Sequence, residues 1–140
     1  MQFKAGAPGC GEVMRVETTD AAIALIAELK AAHGPLMFHQ SGGCCDGSAP
    51  MCYPRAEFRV GERDVWLGMV ADCPFYISGP QFEVWQHTHL TVDVVAGRGS
   101  GFSLESPRGV RFLIRSREFT ADEQAALLRA GPPARGAAPC

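Results

Sequence analysis

The densest group of chemically reactive residues in this sequence is a glycine-rich segment, residues 41–52, that holds three of the six cysteines. Cys44 and Cys45 are adjacent, and Cys52 follows after six residues. Gly, Ser, Asp and Pro fill most of the remainder, which predicts a loop at the end of a buried strand. Thiolates bind Zn, Fe or Cu(I), and a loop can direct several of them at one ion. The segment therefore predicts metal, cluster or thiol chemistry, the alternative being three buried small hydrophobes.

A second set of potential ligands lies further along the chain. Cys73, just before Pro74 at a predicted bend, could complete a four-thiolate set. His87 and His89 are two residues apart, so in an extended strand both imidazoles lie on one face, as two ligands of one metal must. A mixed nitrogen and sulfur set suits Zn, Fe or Cu. The alternative is the polar, solvent-facing side of an antiparallel strand, and His39 has the same ambiguity.

One of the loop cysteines could instead act as a nucleophile. A catalytic thiol needs a lowered pKa, which a helix N-terminus or a nearby cation supplies. Asp46 directly follows Cys45, and its carboxylate favours the protonated thiol. No histidine lies beside Cys44 or Cys45 in sequence, although the fold could bring one there. The second hypothesis is thus a thiol enzyme or redox sensor with Cys52 as the resolving thiol, and the third is an interaction module with structural cysteines.

Composition limits the class of protein. The chain has 140 residues, enough for one domain with a real core, and a formal net charge of −2, which argues against nucleic acid as a partner. No apolar run approaches the ~20 residues of a membrane span. The N-terminus lacks the pattern of a signal peptide. We therefore expect a cytoplasmic protein, where thiols stay reduced and clustered cysteines are ligands or reactive groups rather than disulfides.

The elements that must position these residues are predicted as a helix, several short strands and a second helix. Thr18, Thr19 and Asp20 offer a cap for a helix over 21–32, and Thr120 begins a helix that ends near Arg129. The strands are predicted over 13–17, 36–40, 55–60, 65–71, 75–77, 87–95, 102–104 and 110–115, with a helical turn over 78–85. This order predicts an α+β fold, with a mostly antiparallel sheet or small β-sandwich or barrel and with an N-terminal and a C-terminal helix. It forms a single domain, 1–140, with a loose N-terminal arm, 1–12, and a flexible tail, 131–140.

Five stretches of the sequence are distinctive enough to compare with known families. They are 41–47 (SGGCCDG), 75–78 (FYIS), 85–88 (WQHT), 101–105 (GFSLE) and 117–119 (REF). In these stretches the chain resembles an uncharacterised bacterial family, a domain of unknown function that is often encoded beside aldehyde dehydrogenases. The resemblance implies a soluble accessory protein of aldehyde or alcohol metabolism, with an aldehyde dehydrogenase as its partner.

The order of elements is also similar to the fold of the A-type iron–sulfur carriers, the HesB-like family. In that family a Gly-Cys loop supplies one cluster ligand and a Cys-x-Cys pair near the C-terminus supplies two more. Cys44 or Cys45 matches the first ligand. No cysteine lies between Cys73 and Cys140, so the second pair is absent here. If a metal binds, the missing ligands must be replaced by Cys52, Cys73, His87 or His89.

The first hypothesis is therefore a non-enzymatic, metal-binding accessory protein that supports a dehydrogenase by metal supply, maturation or regulation. Its expected cofactor is a Zn or Fe ion rather than an iron–sulfur cluster. The proposed ligands are Cys44, Cys45, Cys52, Cys73, His87 and His89. Neither nucleic acid nor a membrane is expected as a partner, and a homodimer is an open alternative.

Overall fold

Strand and helix signals in the sequence resolve into seven strands and three helices in the computed structural model, which describes residues 13–42, 47–97 and 103–136. The elements in chain order are β1 (Val16–Thr18), α1 (Asp20–His33), β2 (Leu36–Gln40), β3 (Met51–Pro54), β4 (Val65–Val70), β5 (Cys73–Ile77), α2 (Gly79–Trp85), β6 (Thr88–Ala96), β7 (Val110–Glu118) and α3 (Ala121–Ala130). Short 3₁₀ turns occupy Arg55–Glu57 and Ser106–Arg108.

The strands form two mixed sheets. The four-stranded sheet has the order β3-β2-β5-β4, in which β2 and β5 are parallel and the two outer pairs are antiparallel. The three-stranded sheet has the order β1-β6-β7, in which β1 and β6 are parallel and β6 and β7 are antiparallel. Every residue of β2 is buried, as expected for a strand covered on both faces.

The main core lies between the two sheets and under α1. The Thr19 hydroxyl caps α1 by accepting from the amide of Ala22, and the helix buries Ala22, Ile26 and Leu29 on one face. Three rings join the sheets: Phe38 of β2 stacks on Phe75 of β5 and meets Phe112 of β7 edge-on. The core therefore depends on side chains from both sheets.

A smaller apolar cluster covers the opposite face of the four-stranded sheet. Met37, Trp66 and Tyr76 are its buried members. The chain after the last helix contributes to it: the Trp66 amide donates to the Ala134 carbonyl at 2.9 Å, and the Gly136 amide donates to the Asp64 carbonyl at 2.8 Å. Residues 134–136, part of the tail expected to be flexible, thus lie along the free edge of β4.

The α+β class and the helices at both ends of the fold are confirmed, whereas the expected sheet arrangement is only partly correct. The described strands close into no barrel, and each sheet contains a parallel pair, because strands distant in sequence lie side by side. The prediction of a strand over 55–60 is wrong. The segment begins with a 3₁₀ turn, and Phe58 and Val60 are apolar because they pack against the smaller apolar cluster of Met37, Trp66 and Tyr76. Of the strand expected over 102–104, the described residues Ser103 and Leu104 are not extended in a sheet.

In the described part of the chain, no helix has the length and apolar character needed to cross a membrane.

Candidate functional site

The structure does not gather the described ligand candidates at one point. Cys44 and Cys45 lie outside the described residues. Within the described ranges, no group of three or more His, Cys, Asp or Glu side chains is arranged to hold a metal ion. The other four candidates, Cys52, Cys73, His87 and His89, therefore have to be considered separately.

Cys52 and Cys73 are free, fully buried thiols of the main core. They lie on β3 and β5, which flank β2, so two strand spacings, roughly 10 Å, separate their backbones. That distance exceeds what a disulfide can span. Burial raises the pKa of Cys73 to about 11, although Lys30 opposes the change, and burial together with Glu105 raises the pKa of Cys52 further. Both thiols stay protonated at neutral pH and are therefore poor nucleophiles.

A buried carboxylate network lies beside Cys52. The Ser103 hydroxyl accepts from the Cys52 amide at 2.8 Å and donates to Glu105 Oε1 at 2.5 Å. Glu105 Oε2 accepts from the Phe112 amide at 3.3 Å. Ser103 and Glu105 therefore link the chain before β7 to β3 and to β7 itself, which gives these two residues of the Gly-Phe-Ser-Leu-Glu stretch a structural role.

The two histidines of the predicted pair have different surroundings. His87 is exposed and precedes β6, while His89 is buried within it. The Nε2 atom of His89 lies 3.3 Å from Glu17 Oε1, and its ring meets Phe119 edge-on. Burial and the charge of Arg117 lower the pKa of His89, with Glu17 opposing them. The Nε2 atom of His89 thus already has a partner, Glu17 of β1, which the sequence spacing does not reveal.

The buried, neutral state of His89 predicts a loss of stability in acid. Because the folded-state pKa lies below the ordinary value of 6.5, the unfolded chain binds a proton that the folded chain resists. The contribution of His89 is present above pH 6.5 and is lost as the pH falls toward the lowered pKa. We expect urea midpoints to drop between pH 7.5 and 5.5, with a smaller drop in His89→Gln. The control is His87→Gln at the exposed position, which should behave as wild type; an equal drop in both variants would contradict the assignment.

A constellation that the sequence did not single out lies at the end of β2. His39 is 5% exposed, and it is flanked across the sheet by Met51 and Tyr76. Its Nε2–H donates to Asp64 Oδ1 at 2.8 Å, because a carboxylate can only accept. In the neutral ring, Nδ1 is then the acceptor for the Ser41 hydroxyl, 2.6 Å away. Ser41, His39 and Asp64 therefore form a continuous hydrogen-bonded chain.

Neighbouring backbone groups fix the carboxylate of this chain. Asp64 Oδ2 accepts from the Gly61 amide at 2.8 Å, and the Asp64 amide donates back to the Gly61 carbonyl at 3.1 Å. The Gly136 amide binds the Asp64 carbonyl from the other side. The carboxylate is consequently aimed at His39 by a tight turn and by the C-terminal segment.

Aromatic rings and an amide complete the surroundings of the imidazole. The Phe58 ring lies 4.9 Å from the His39 ring, and Tyr53 stacks on Phe58 at the same separation. The buried Gln40 amide donates to the Gly42 carbonyl and so restrains the residue after Ser41. An imidazole oriented by a carboxylate and bonded to a hydroxyl is the arrangement of a base and its nucleophile.

These features define a small two-sheet α+β protein with a Ser-His-Asp constellation at a strand end. The family model for a domain of unknown function, DUF779, matches residues 25–118, about two thirds of the chain. The protein belongs to this family, and the match includes Ser41, His39 and Asp64. No curated protein matches the sequence.

Proposed function

We propose that this protein is a thiol-dependent enzyme or redox sensor in which His39 is the base for Cys44 or Cys45. The observation that carries this proposal is the 2.8 Å hydrogen bond between His39 Nε2 and Asp64 Oδ1. His39 is the next-to-last residue of β2 and lies five positions before Cys44 in the sequence. When the thiol takes the place of the Ser41 hydroxyl at Nδ1, the carboxylate-oriented imidazole can accept the thiol proton and hold it as imidazolium, leaving the thiolate to attack an electrophile.

The two described cysteines support this choice of nucleophile by elimination. Cys52 and Cys73 are core residues whose raised pKa values keep them protonated. The resolving role expected for Cys52 does not suit a fully buried thiol. The reactive sulfur of the proposal is therefore one of the adjacent pair Cys44 and Cys45.

Alkylation with iodoacetamide, followed residue by residue with mass spectrometry from pH 5.5 to 9, tests the proposal. We expect one loop cysteine to react with an apparent pKa below the ordinary value of about 8.5. Cys52 and Cys73 should stay unlabelled until urea is added. His39→Ala and Asp64→Asn should slow labelling at pH 7 about tenfold or more, because each removes the oriented base.

The matched control is His87→Ala, which removes an exposed imidazole outside the site and should leave the rates unchanged. Circular dichroism shows whether each variant is folded. Ordinary titration of both loop cysteines, near pH 8.5 in wild type and in folded Asp64→Asn alike, would contradict the proposal.

A metal-binding accessory protein is the second candidate, as the sequence suggests. It rests on the adjacent thiols of Cys44 and Cys45, since the described candidates are not gathered around one point. Service to an aldehyde dehydrogenase, and a HesB-like role with an iron–sulfur cluster, rest on sequence resemblance alone. The alkylation assay separates the two functions: one equivalent of Zn²⁺ should protect Cys44 and Cys45 together if they are ligands, and leave the reactive thiol accessible if it is a nucleophile.

A further inference from the structure

We propose that Ser41 is a nucleophile in its own right, and that Ser41, His39 and Asp64 form an acyl-transfer site for small, uncharged carboxylic esters. This activity goes beyond the thiol chemistry proposed above. The two share His39 as their base, but acyl transfer to Ser41 requires no cysteine.

The hydrogen bonds already have the geometry of general-base catalysis. The Ser41 Oγ to His39 Nδ1 distance of 2.6 Å and the His39 Nε2 to Asp64 Oδ1 distance of 2.8 Å both lie in the range for proton transfer. Asp64 fixes the tautomer by holding the proton on Nε2, so that Nδ1 presents its lone pair to the hydroxyl. Either imidazole nitrogen can serve as the base, provided that the other is held by the carboxylate.

The members of the site are held before any substrate arrives. Both carboxylate oxygens of Asp64 are bonded, to His39 and to the Gly61 amide. The Phe58 ring lies against the imidazole, and the Gln40 amide holds the Gly42 carbonyl. Such fixed orientation lowers the cost of reaching the reactive geometry.

The nucleophile is accessible, whereas its base is not. Ser41 and Gly42 are exposed, while His39 is buried behind them. A methyl group built on Gly42 would meet no atom of the other described residues within 4 Å. Phe58 and Tyr53 offer an aromatic surface next to the imidazole. This surface and the negative Asp64 favour a neutral, apolar ester over a phosphate ester.

The reaction balances with water as the only co-reactant. Ser41 Oγ forms a bond to the ester carbonyl carbon while His39 Nδ1 accepts the hydroxyl proton, and Asp64 stabilises the imidazolium. The C–O bond to the leaving alkoxide or phenoxide breaks, and the imidazolium returns the proton to that oxygen. Water then attacks the acyl-Ser41 with the same base, which releases a carboxylic acid and restores the hydroxyl.

The test uses the full-length chain with both thiols removed, Cys44→Ala with Cys45→Ala, so that no nucleophile other than Ser41 interferes. A fluorophosphonate probe should label Ser41, identified by peptide mass spectrometry, and the protein should hydrolyse p-nitrophenyl acetate. Adding Ser41→Ala should reduce hydrolysis to the uncatalysed rate. Adding Asp64→Asn should lower the rate by about 10²- to 10⁴-fold, since the tautomer is no longer fixed.

The matched control is Asp72→Asn, which neutralises an exposed carboxylate at another turn and should leave the rate unchanged. Failure of the probe to label Ser41 in the folded protein, or unchanged hydrolysis in Ser41→Ala, would overturn the proposal. Labelled Ser41 together with ordinary loop thiols would instead sink only the thiol function. An activity that is lost with Cys44 and Cys45 alone would support the thiol function and refute acyl transfer to Ser41.

Discussion

Replacing Phe38 by alanine is expected to lower the free energy of unfolding by about 3–5 kcal/mol. The Phe38 ring is fully buried and contacts rings of both sheets, with centroids 6.0 Å from Phe75 and 5.0 Å from Phe112. Removal of the ring leaves a cavity between the two sheets. This cavity can close only if one of the sheets moves. Because single domains are stable by only about 5–15 kcal/mol, the substitution removes a large fraction of the total free energy of unfolding. Urea denaturation followed by circular dichroism measures the change.

Two substitutions separate the cavity from a general loss of apolar surface. Phe38→Leu keeps most of the volume and should cost clearly less than alanine. Val84→Ala removes methyl groups from a side chain of α2 that is 57% exposed and should change stability by no more than about 0.5 kcal/mol. A loss below about 1 kcal/mol in Phe38→Ala would show that the sheets do not share one core.

Replacing Glu105 by alanine is expected to cost about 2–5 kcal/mol, because two buried donors lose their acceptor together. The Ser103 hydroxyl and the Phe112 amide both point at the carboxylate, in a region closed to water. Glu105→Gln should be intermediate, since it keeps one carbonyl oxygen but presents an NH₂ group to one of the two donors. The same urea assay measures both variants.

An exposed glutamate supplies the comparison for this network. Glu62→Ala lies in the turn before β4 and should leave stability nearly unchanged. A neutral effect of Glu105→Ala would mean that the cost of burying the carboxylate equals the gain from its hydrogen bonds. The network would then determine which loop conformation forms rather than how stable the fold is.

The helices and the central strands were predictable from local chemistry. Thr19 caps α1 at the predicted place, and Thr120 with Glu123 forms a capping box at the start of α3. Strand β3 was missed because Pro54 and the proline at position 50 signal a break. An edge strand tolerates proline at its ends, since one side of its backbone is not part of the ladder.

The candidate site depends on contacts between residues distant in sequence, which local sequence patterns do not predict. His39 and Asp64 are 25 residues apart in the sequence, and the turn that orients the Asp64 carboxylate begins at Gly61. Cys52 fits a ligand or a small core residue equally well in sequence, and only its position opposite Phe38 places it in the core. The surroundings of His89 likewise depend on β1, which pairs with β6 in parallel. The alternation of polar and apolar residues along β6 does not predict this neighbour.

The segment 134–136 ties the far end of the described chain to the residue that orients the imidazole. Its bridge from Arg135 to Val65 and its bond from Gly136 to Asp64 brace the turn from outside the sheet. Displacing residues 134–136, by a bulky fusion, by proteolysis or by a competing polypeptide, would leave the Asp64 carboxylate held only by the turn that begins at Gly61. A change in residues 134–136 would thereby alter the position of Asp64 without touching His39 or Ser41.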